Sequence, residues 1–478
     1  MCRREDTPVV ALADDLSGAA EVAALLRRPT RLALDPADLA VPVAAGEATV
    51  VDLDSRYLSD QAAADAVRAA LAAARTAADG PAAAAGTDPA DRRGRTAALS
   101  EDSPAPPRTT AHDSPSRAFH AVSSHAPYGH PLWYMKCDSL LRGPVGAEAA
   151  AFAEGAELLV IAPALPVARR VVRRGAVLVD GAPLRNCAAW RAEERAAPRS
   201  VAEAMAPLPT ANVPVEAVRQ GPIALAGHFR LLAARGRHPV CDAETDTDLA
   251  VVAAAAALLG PDVRLLGSGG LAAALGRRLG THVSEAGSAV PSASDERPLL
   301  VVAGSAEPAV AEQVARLVTA GARHVPLTPG RLAGPDPIAL PELAPSTVTV
   351  VSVDGSDGVR PGTARRIVAG LARAVAALPG RPDLVLTGGE TARRVLDAAG
   401  VTTLWPVGEI HHGAVHSRTS DGRSVVTRPG SFGGPDSFLR IAAALRPRLA
   451  PPPSPTSTPP PPLPAPSGTA PSEQGVTQ

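Results

Sequence analysis

The sequence predicts an α/β protein made of two α/β domains with largely parallel sheets. Short apolar runs ending in Gly, Asp or Ser alternate with Ala-rich helical stretches, which is the rhythm of βα units. At 478 residues the chain can bury two or three cores. Two Pro- and Ser-bearing segments interrupt or end the alternation.

Taken in order, strands are expected at Pro8–Ala13, Arg31–Leu34, Thr49–Leu53, Leu132–Met135, Glu157–Ala162, Ile223–Ala226 and Val263–Leu266. Helices are expected among them at Gly18–Arg28, Gln61–Arg75, Pro144–Glu154, Asp246–Leu259 and Leu271–Leu279, which completes a first domain over residues 1–286. Inside it, Asp79–Pro127 has almost no large apolar residues and is too long for an ordered connection, so it reads as a disordered insertion over 79–127. Gly287–Arg297, with Pro291 and three serines, is the linker. A second domain over 298–446 carries strands Leu299–Ala303, Val348–Val353 and Asp383–Thr387, and helices Ala309–Ala320, Gly362–Leu378 and Thr391–Ala399. The Pro-rich stretch Ala450–Gln478 is a disordered tail over 450–478.

Bulk properties exclude several functions. A net charge of −1 and only 11 aromatic residues argue against nucleic acid as a partner. Cys2, Cys137, Cys187 and Cys241 are scattered without C-x-x-C spacing, so neither a zinc knuckle nor a disulfide framework is implied. Asp14 and Asp15 break the opening apolar run before it could serve as a signal peptide, and no stretch approaches about 18 apolar residues. A cytoplasmic protein that spans no membrane is expected. The oligomeric state stays open, a homo-oligomer included.

One lysine stands in the chain, against 46 arginines. Lys136 opens the string Lys136-Cys137-Asp138-Ser139-Leu140-Leu141-Arg142-Gly143 after a strand, and Pro144 then starts a helix. An ammonium is a compact donor that approaches one oxygen closely, whereas a guanidinium is a planar fork. Because Cys137 follows the only lysine, the chain has no phosphate loop of the G-x-x-x-x-G-K-[ST] type. Lys136, Asp138 and Arg142 beside a helix start suit a carboxylate or phosphate. Asp14 and Asp15 leave the carboxyl end of the opening strand, where open α/β sheets bind ligands, with Ser17 as the expected helix cap. They could hold a metal ion, accept sugar hydroxyls or act as a base.

Glycine-rich turns mark other strand ends. Gly267-Ser268-Gly269-Gly270-Leu271-Ala272 matches G-x-G-x-x-A, which on its own would suggest a nicotinamide oxidoreductase. Gly304-Ser305-Ala306-Glu307-Pro308, Thr387-Gly388-Gly389-Glu390-Thr391 and Arg428-Pro429-Gly430-Ser431-Phe432-Gly433 could cradle nucleotide phosphates, and each could equally be a helix-capping turn. His411, His412 and His416 lack a carboxylate or Cys to complete a metal set, so they read as exposed histidines around the Asp421-Gly422 hairpin.

In order, the strings VVALADDLSGAAE, YMKCDSLLRGPVGAE, APALPVARRVVRRGAVLVDGAPL, CDAETDTDL, LLGSGGLA, VVAGSAEPAVAEQV, LVLTGGETARRVL and TRPGSFGGPDSFLRI resemble the four-carbon acid sugar kinase family. The resemblance spans Val9 to Ile441. It implies an N-terminal sugar-acid-binding domain, a C-terminal nucleotide-binding domain, and ATP-dependent phosphorylation of a terminal hydroxyl of threonate, erythronate or 3-oxo-tetronate, with Mg²⁺ on the phosphates. It places Asp14, Asp15, Lys136 and Asp138 as catalytic candidates. Asp15, Lys136, Asp138 and Arg142 become candidate substrate ligands, with Lys136 and Arg142 on the acid's carboxylate. Ser305, Gly388, Gly389, Glu390, Thr391, Arg428 and Gly430 fall on the nucleotide side. Leu140 stands where the family usually has Thr, and Arg428-Pro429 where it has Lys-Ser, so Pro429 has no N–H to offer. Glu307 replaces a usual small hydroxyl residue. These departures motivate a second reading, a relative that binds sugar acid or nucleotide as a sensor.

Overall fold

The computed structural model describes residues 6–78, 130–187, 190, 193, 195–280, 297–304, 308–345, 347–355, 363–430 and 432–447. The expected insertion, the tail, Ser305, Glu307 and nearly all of the linker lie outside them.

The N-terminal half runs β1 (Val9–Ala13), α1 (Leu16–Leu25), β2 (Thr30–Ala33), β3 (Ala48–Asp52), α2 (Asp60–Ala78), β4 (Leu132–Lys136), α3 (Val145–Ala153), β5 (Leu158–Ala162). A small antiparallel sheet follows, β6 (Arg170–Arg173), β7 (Ala176–Val179) and β8 (Ala182–Pro183). Then come α4 (Val201–Ala204), β9 (Thr210–Val213), α5 (Val215–Val218), α6 (Pro222–Ala233), β10 (His238–Cys241), α7 (Asp246–Ala256), β11 (Val263–Gly267) and α8 (Gly269–Leu279). The C-terminal half runs β12 (Leu299–Ala303), α9 (Pro308–Thr319), β13 (Arg323–Leu327), α10 (Pro329–Ala333), β14 (Val348–Val353), α11 (Ala364–Ala376), β15 (Asp383–Thr387), α12 (Gly389–Ala398), β16 (Thr403–His411), β17 (Ala414–Arg418), β18 (Ser424–Arg428) and α13 (Ser437–Leu445).

The expected α/β class holds, and most strands and helices lie within a few residues of their expected bounds. Ile223–Ala226 does not: it is the first turn of α6. Pro222 sits at the helix start, and Leu225, Ala226, Phe229 and Leu232 are buried at helical spacing while Ile223 is 81% exposed. Ser17 is not the cap of α1 either. Asp15 takes that position and accepts from the Gly18 N–H, while Pro144 caps α3 rather than starting it.

The two halves share one sheet, in the order β13-β14-β12-β15-β18-β17-β16-β2-β3-β1-β4-β11-β5-β10-β9. They join where β16 pairs antiparallel with β2, Thr403 opposite Ala33 and Leu404 opposite Leu32. One apolar cluster runs across the join, from Leu12 and Ile161 to Leu386 and Leu404. Each half has a point where strand order reverses. In the first, β1 lies between β3 and β4, all parallel; in the second, β12 lies between β14 and β15. A reversal leaves a crevice at the carboxyl ends of the two central strands, because their following segments diverge. Asp14 and Lys136–Cys137 emerge at one crevice, Gly304 and Gly388 at the other.

Candidate active site

The two crevices open into one cavity of about 510 Å³, lined by residues of both halves of a single chain. Asp15, Lys136, Asp138 and Arg142 line it, as do Gly388, Gly389, Glu390, Thr391 and Gly430.

Asp15 lies where the halves meet. Its carboxylate accepts from Gly18 N at 2.9 Å, Ser17 Oγ at 2.6 Å and Arg56 Nη1 at 2.9 Å. A Cβ on Gly389, at the start of α12, would come within 2.3 Å of its Oδ2, so only glycine admits this approach. Burial would raise the pKa of Asp15, but Arg56, then Lys136 and the hydrogen bonds, hold it below the ordinary carboxylate range. Asp14 is buried behind it, paired with Arg56 Nε at 2.7 Å, and burial leads its pKa upward. Its Oδ1 has no hydrogen-bond partner.

Lys136 is 5% exposed, with Nζ 3.0 Å from the Cys137 carbonyl and 3.7 Å from Glu21 Oε2. Burial works against its charge, yet Glu21, Asp14 and Asp15 lift its pKa, so the ammonium persists. Asp138 and Arg142 grip each other through two bonds, Nε to Oδ2 at 2.7 Å and Nη2 to Oδ1 at 3.0 Å. Asp138 Oδ2 also accepts from the backbone of Leu140 and Arg142, which fixes the loop between them. Against burial, Arg142 then holds the Asp138 carboxyl far below its usual range.

On the other side, Gly388 has φ +91°, a left-handed turn that sends the chain into α12 with its first N–H groups at the cavity. Thr391 packs against Gly304, where a Cβ would sit 2.3 Å from its Oγ1.

Three corrections follow. Arg428 does not line the cavity. Fully buried, it donates to Gln313 Oε1 at 2.5 Å, to Thr387 Oγ1 at 3.3 Å and to the Phe432 carbonyl, and lies 4.5 Å over the Phe438 ring. Gln313 Nε2 in turn donates to the carbonyls of Gly433 and Gly434, so Arg428 braces residues 432–434 from behind. The Gly267–Ala272 turn holds no dinucleotide, because Glu21 fills the space a Cβ of Gly269 would need and the Ala164 carbonyl lies 2.5 Å from that of Gly270. Its glycines serve close packing. The histidines are half-buried rather than exposed: His411 meets Ser437 Oγ at 2.9 Å and His416 meets Ser424 Oγ at 3.1 Å. Among the described residues no group of three or more His, Cys, Asp or Glu is arranged to hold a metal.

Sequence reasoning missed Arg56, Glu21 and Arg170, all of which line the cavity. Arg56 comes from the loop after β3, and nothing local marks it among 46 arginines. Glu21 ends the string VVALADDLSGAAE and Arg170 lies within APALPVARRVVRRGAVLVDGAPL, so the family resemblance is the signal that marks both.

A match to a sugar-binding N-terminal domain covers residues 9–84 and 91–275, and one to a nucleotide-binding C-terminal domain covers 300–438. A D-threonate kinase of Cupriavidus necator is 32% identical over 340 residues, 66% of this chain and 81% of that protein. One of Bordetella bronchiseptica is 32% identical over the same length, 78% of that protein. A Salmonella typhimurium LT2 structure described as a putative tRNA synthase superposes with a TM-score of 0.65 over 91% of this chain and 98% of its own, at 19% identity. A Haemophilus influenzae structure gives 0.61, covering 91% and 100%, also at 19%. These two likenesses concern the fold.

Arg428→Met keeps the stem and removes the guanidinium, leaving Gln313 and Phe432 without their donor. We expect a loss of about 2–3 kcal/mol in urea unfolding, the scale of a charged hydrogen-bonded group. Unchanged stability with a selective loss of nucleotide affinity would restore a phosphate contact.

Glu148, fully buried, pairs with Ser55 Oγ at 2.5 Å; burial and then the Asp14 charge push its carboxyl up to about 8. The folded state therefore keeps a proton there that the unfolded chain releases near 4.5, so the stability Glu148 contributes is complete below pH 4.5 and is lost as pH rises through 8. Glu148→Gln should flatten that decline by on the order of 1 kcal/mol per pH unit. Parallel urea-midpoint curves for the two proteins between pH 5 and 9 would refute the assignment.

Proposed function

The chain belongs to the four-carbon acid sugar kinase family and is an ATP-dependent sugar acid kinase; on that premise we propose that ATP and a threonate-like acid meet in the cavity between the two crevices, where the terminal hydroxyl of the acid takes the γ-phosphoryl group. The observation that carries this reading is the contact of Asp15 with Gly389, which sets an ionised carboxylate from the sugar side against the start of α12.

The α12 N-terminus and the Gly388 turn supply N–H groups and a positive dipole end for the phosphates. Val353, Ile367 and Val368 give the cavity an apolar flank suited to the nucleoside. Asp15 accepts the proton of the attacking hydroxyl, held in place by Arg56, Ser17 and Gly18. Lys136 lies beside it as the compact positive charge for the transferring phosphoryl group. Asp138 acts through Arg142 and the loop between them, as a positioning residue. The unpartnered Oδ1 of Asp14 and the carboxylate of Glu390 line a small annex of the cavity and suit a Mg²⁺ ion that arrives on the phosphates. Such an ion shields phosphate charge. No helix among the described residues is long and apolar enough to cross a membrane, and Cys137, Cys187 and Cys241 are free, which supports placement in a reducing cytoplasm.

The test is ADP release from ATP with D-threonate, L-threonate, D-erythronate and 3-oxo-tetronate. At least one acid should be turned over, and Asp15→Asn should lower its kcat by about 10²–10⁴-fold while acid and ATP still bind. A variant with wild-type kcat would remove Asp15 as the base, and a wild type inactive on every acid would refute the reaction.

A further inference from the structure

Four cationic side chains line the cavity, and three of them face a carboxylate of the protein. Arg56 sits on Asp14 and Asp15, Arg142 on Asp138, and Lys136 near Glu21. Arg170 joins no such pair among the described residues. Its Nη1 donates to Ser139 Oγ at 2.6 Å, and its Cζ lies 5.9 Å from the centre of the Phe432 ring. Its Nε is buried without a hydrogen-bond partner. Burial holds its pKa below the usual guanidinium range, with Asp138 acting against that shift.

A guanidinium with a buried, unused donor is costly unless an anion completes it. Its planar fork matches the two oxygens of a carboxylate. The position agrees. Arg170 opens β6 and leans on Ser139, in the wall that carries Asp138 and Arg142, and these two are the charges that act on it most. Those that act on Asp15 are Arg56 and Lys136. Base and guanidinium come from different elements, the N-cap of α1 and the first residue of β6, and both line the one cavity, as a four-carbon acid presents its reacting hydroxyl and its carboxylate at separate ends.

We propose that Arg170 anchors the carboxylate of the sugar acid and so selects an acid over the corresponding polyol. Phe432, from the other half, covers the guanidinium and ties this recognition to the cleft between the halves. Arg142, whose Nε and Nη2 are both engaged by Asp138, supports the wall instead. This assignment rests on the kinase reading above.

The test pairs Arg170→Gln with Arg170→Lys. D-threonate, L-threonate and D-erythronate are titrated calorimetrically into each protein, and turnover with ATP is compared between these acids and threitol, which lacks the carboxylate. Arg170→Gln should weaken the acid that the wild type binds best by about 100-fold. The kcat/KM ratio of that acid over threitol should fall by a similar factor, while ATP affinity moves less than about twofold. Arg170→Lys should recover part of the loss, since it keeps the charge without the fork; should the Gln variant not fold, the same ratio in the Lys variant decides. Equal acid affinity in wild type and variant, or a matching loss of ATP affinity, overturns the anchor. A wild type that binds an acid without phosphorylating it refutes the kinase reading, while the titrations still judge Arg170. A wild type that binds none of the acids refutes both.

Discussion

The site depends on one buried carboxylate. Asp15 caps α1 through Gly18, is held by Arg56 from the loop after β3, and touches Gly389 at the start of α12. An N-cap fixes the direction in which a helix leaves its strand. Here the other oxygen of that carboxylate sets how closely the second half can approach, because a side chain at position 389 would collide with it. Fold and chemistry therefore share a group, and moving Asp15 displaces a helix start, an ion pair and a domain contact together.

The surrounding pairs hold that approach in register. Arg393 of α12 reaches Asp52 at the end of β3 at 3.0 Å, Arg394 pairs with Asp54, and Arg365 of α11 donates to the Tyr57 carbonyl at 3.3 Å. All three clamp the C-terminal helices onto the end of β3 and the loop that follows it. Together with the β16–β2 pairing, they make the floor of the cleft one continuous sheet rather than two bodies on a linker. In the wall above that floor, Arg428 and Gln313 brace the carbonyls of Phe432, Gly433 and Gly434.

The cavity also shows why charged residues of different motifs take different parts. Asp138 and Arg142 satisfy each other, so they build a wall. Arg170, from a motif further along, keeps an unused buried donor and faces inward. Spacing cannot separate these cases, because the partner that each arginine finds or lacks depends on where the loop around it folds.

The sequence by itself determined the α/β class, most strands of the parallel core though not β9, β10 or β13, and the strand ends that line the site, since these rest on local apolar periodicity and on turn residues near in sequence. The Asp-Asp pair was legible from its place at a strand end, and the lone lysine from composition. Tertiary structure alone decided the rest. Residues 223–226 became helix because burial at 225, 226, 229 and 232, which is i, i+1, i+4 and i+7, outweighed a short apolar run. Arg428 turned inward because Gln313, 115 residues away, offered it an oxygen. The pairing of β16 with β2, and of Gly389 with Asp15, joins positions more than 350 residues apart. Such contacts arise from packing between surfaces that no local pattern encodes.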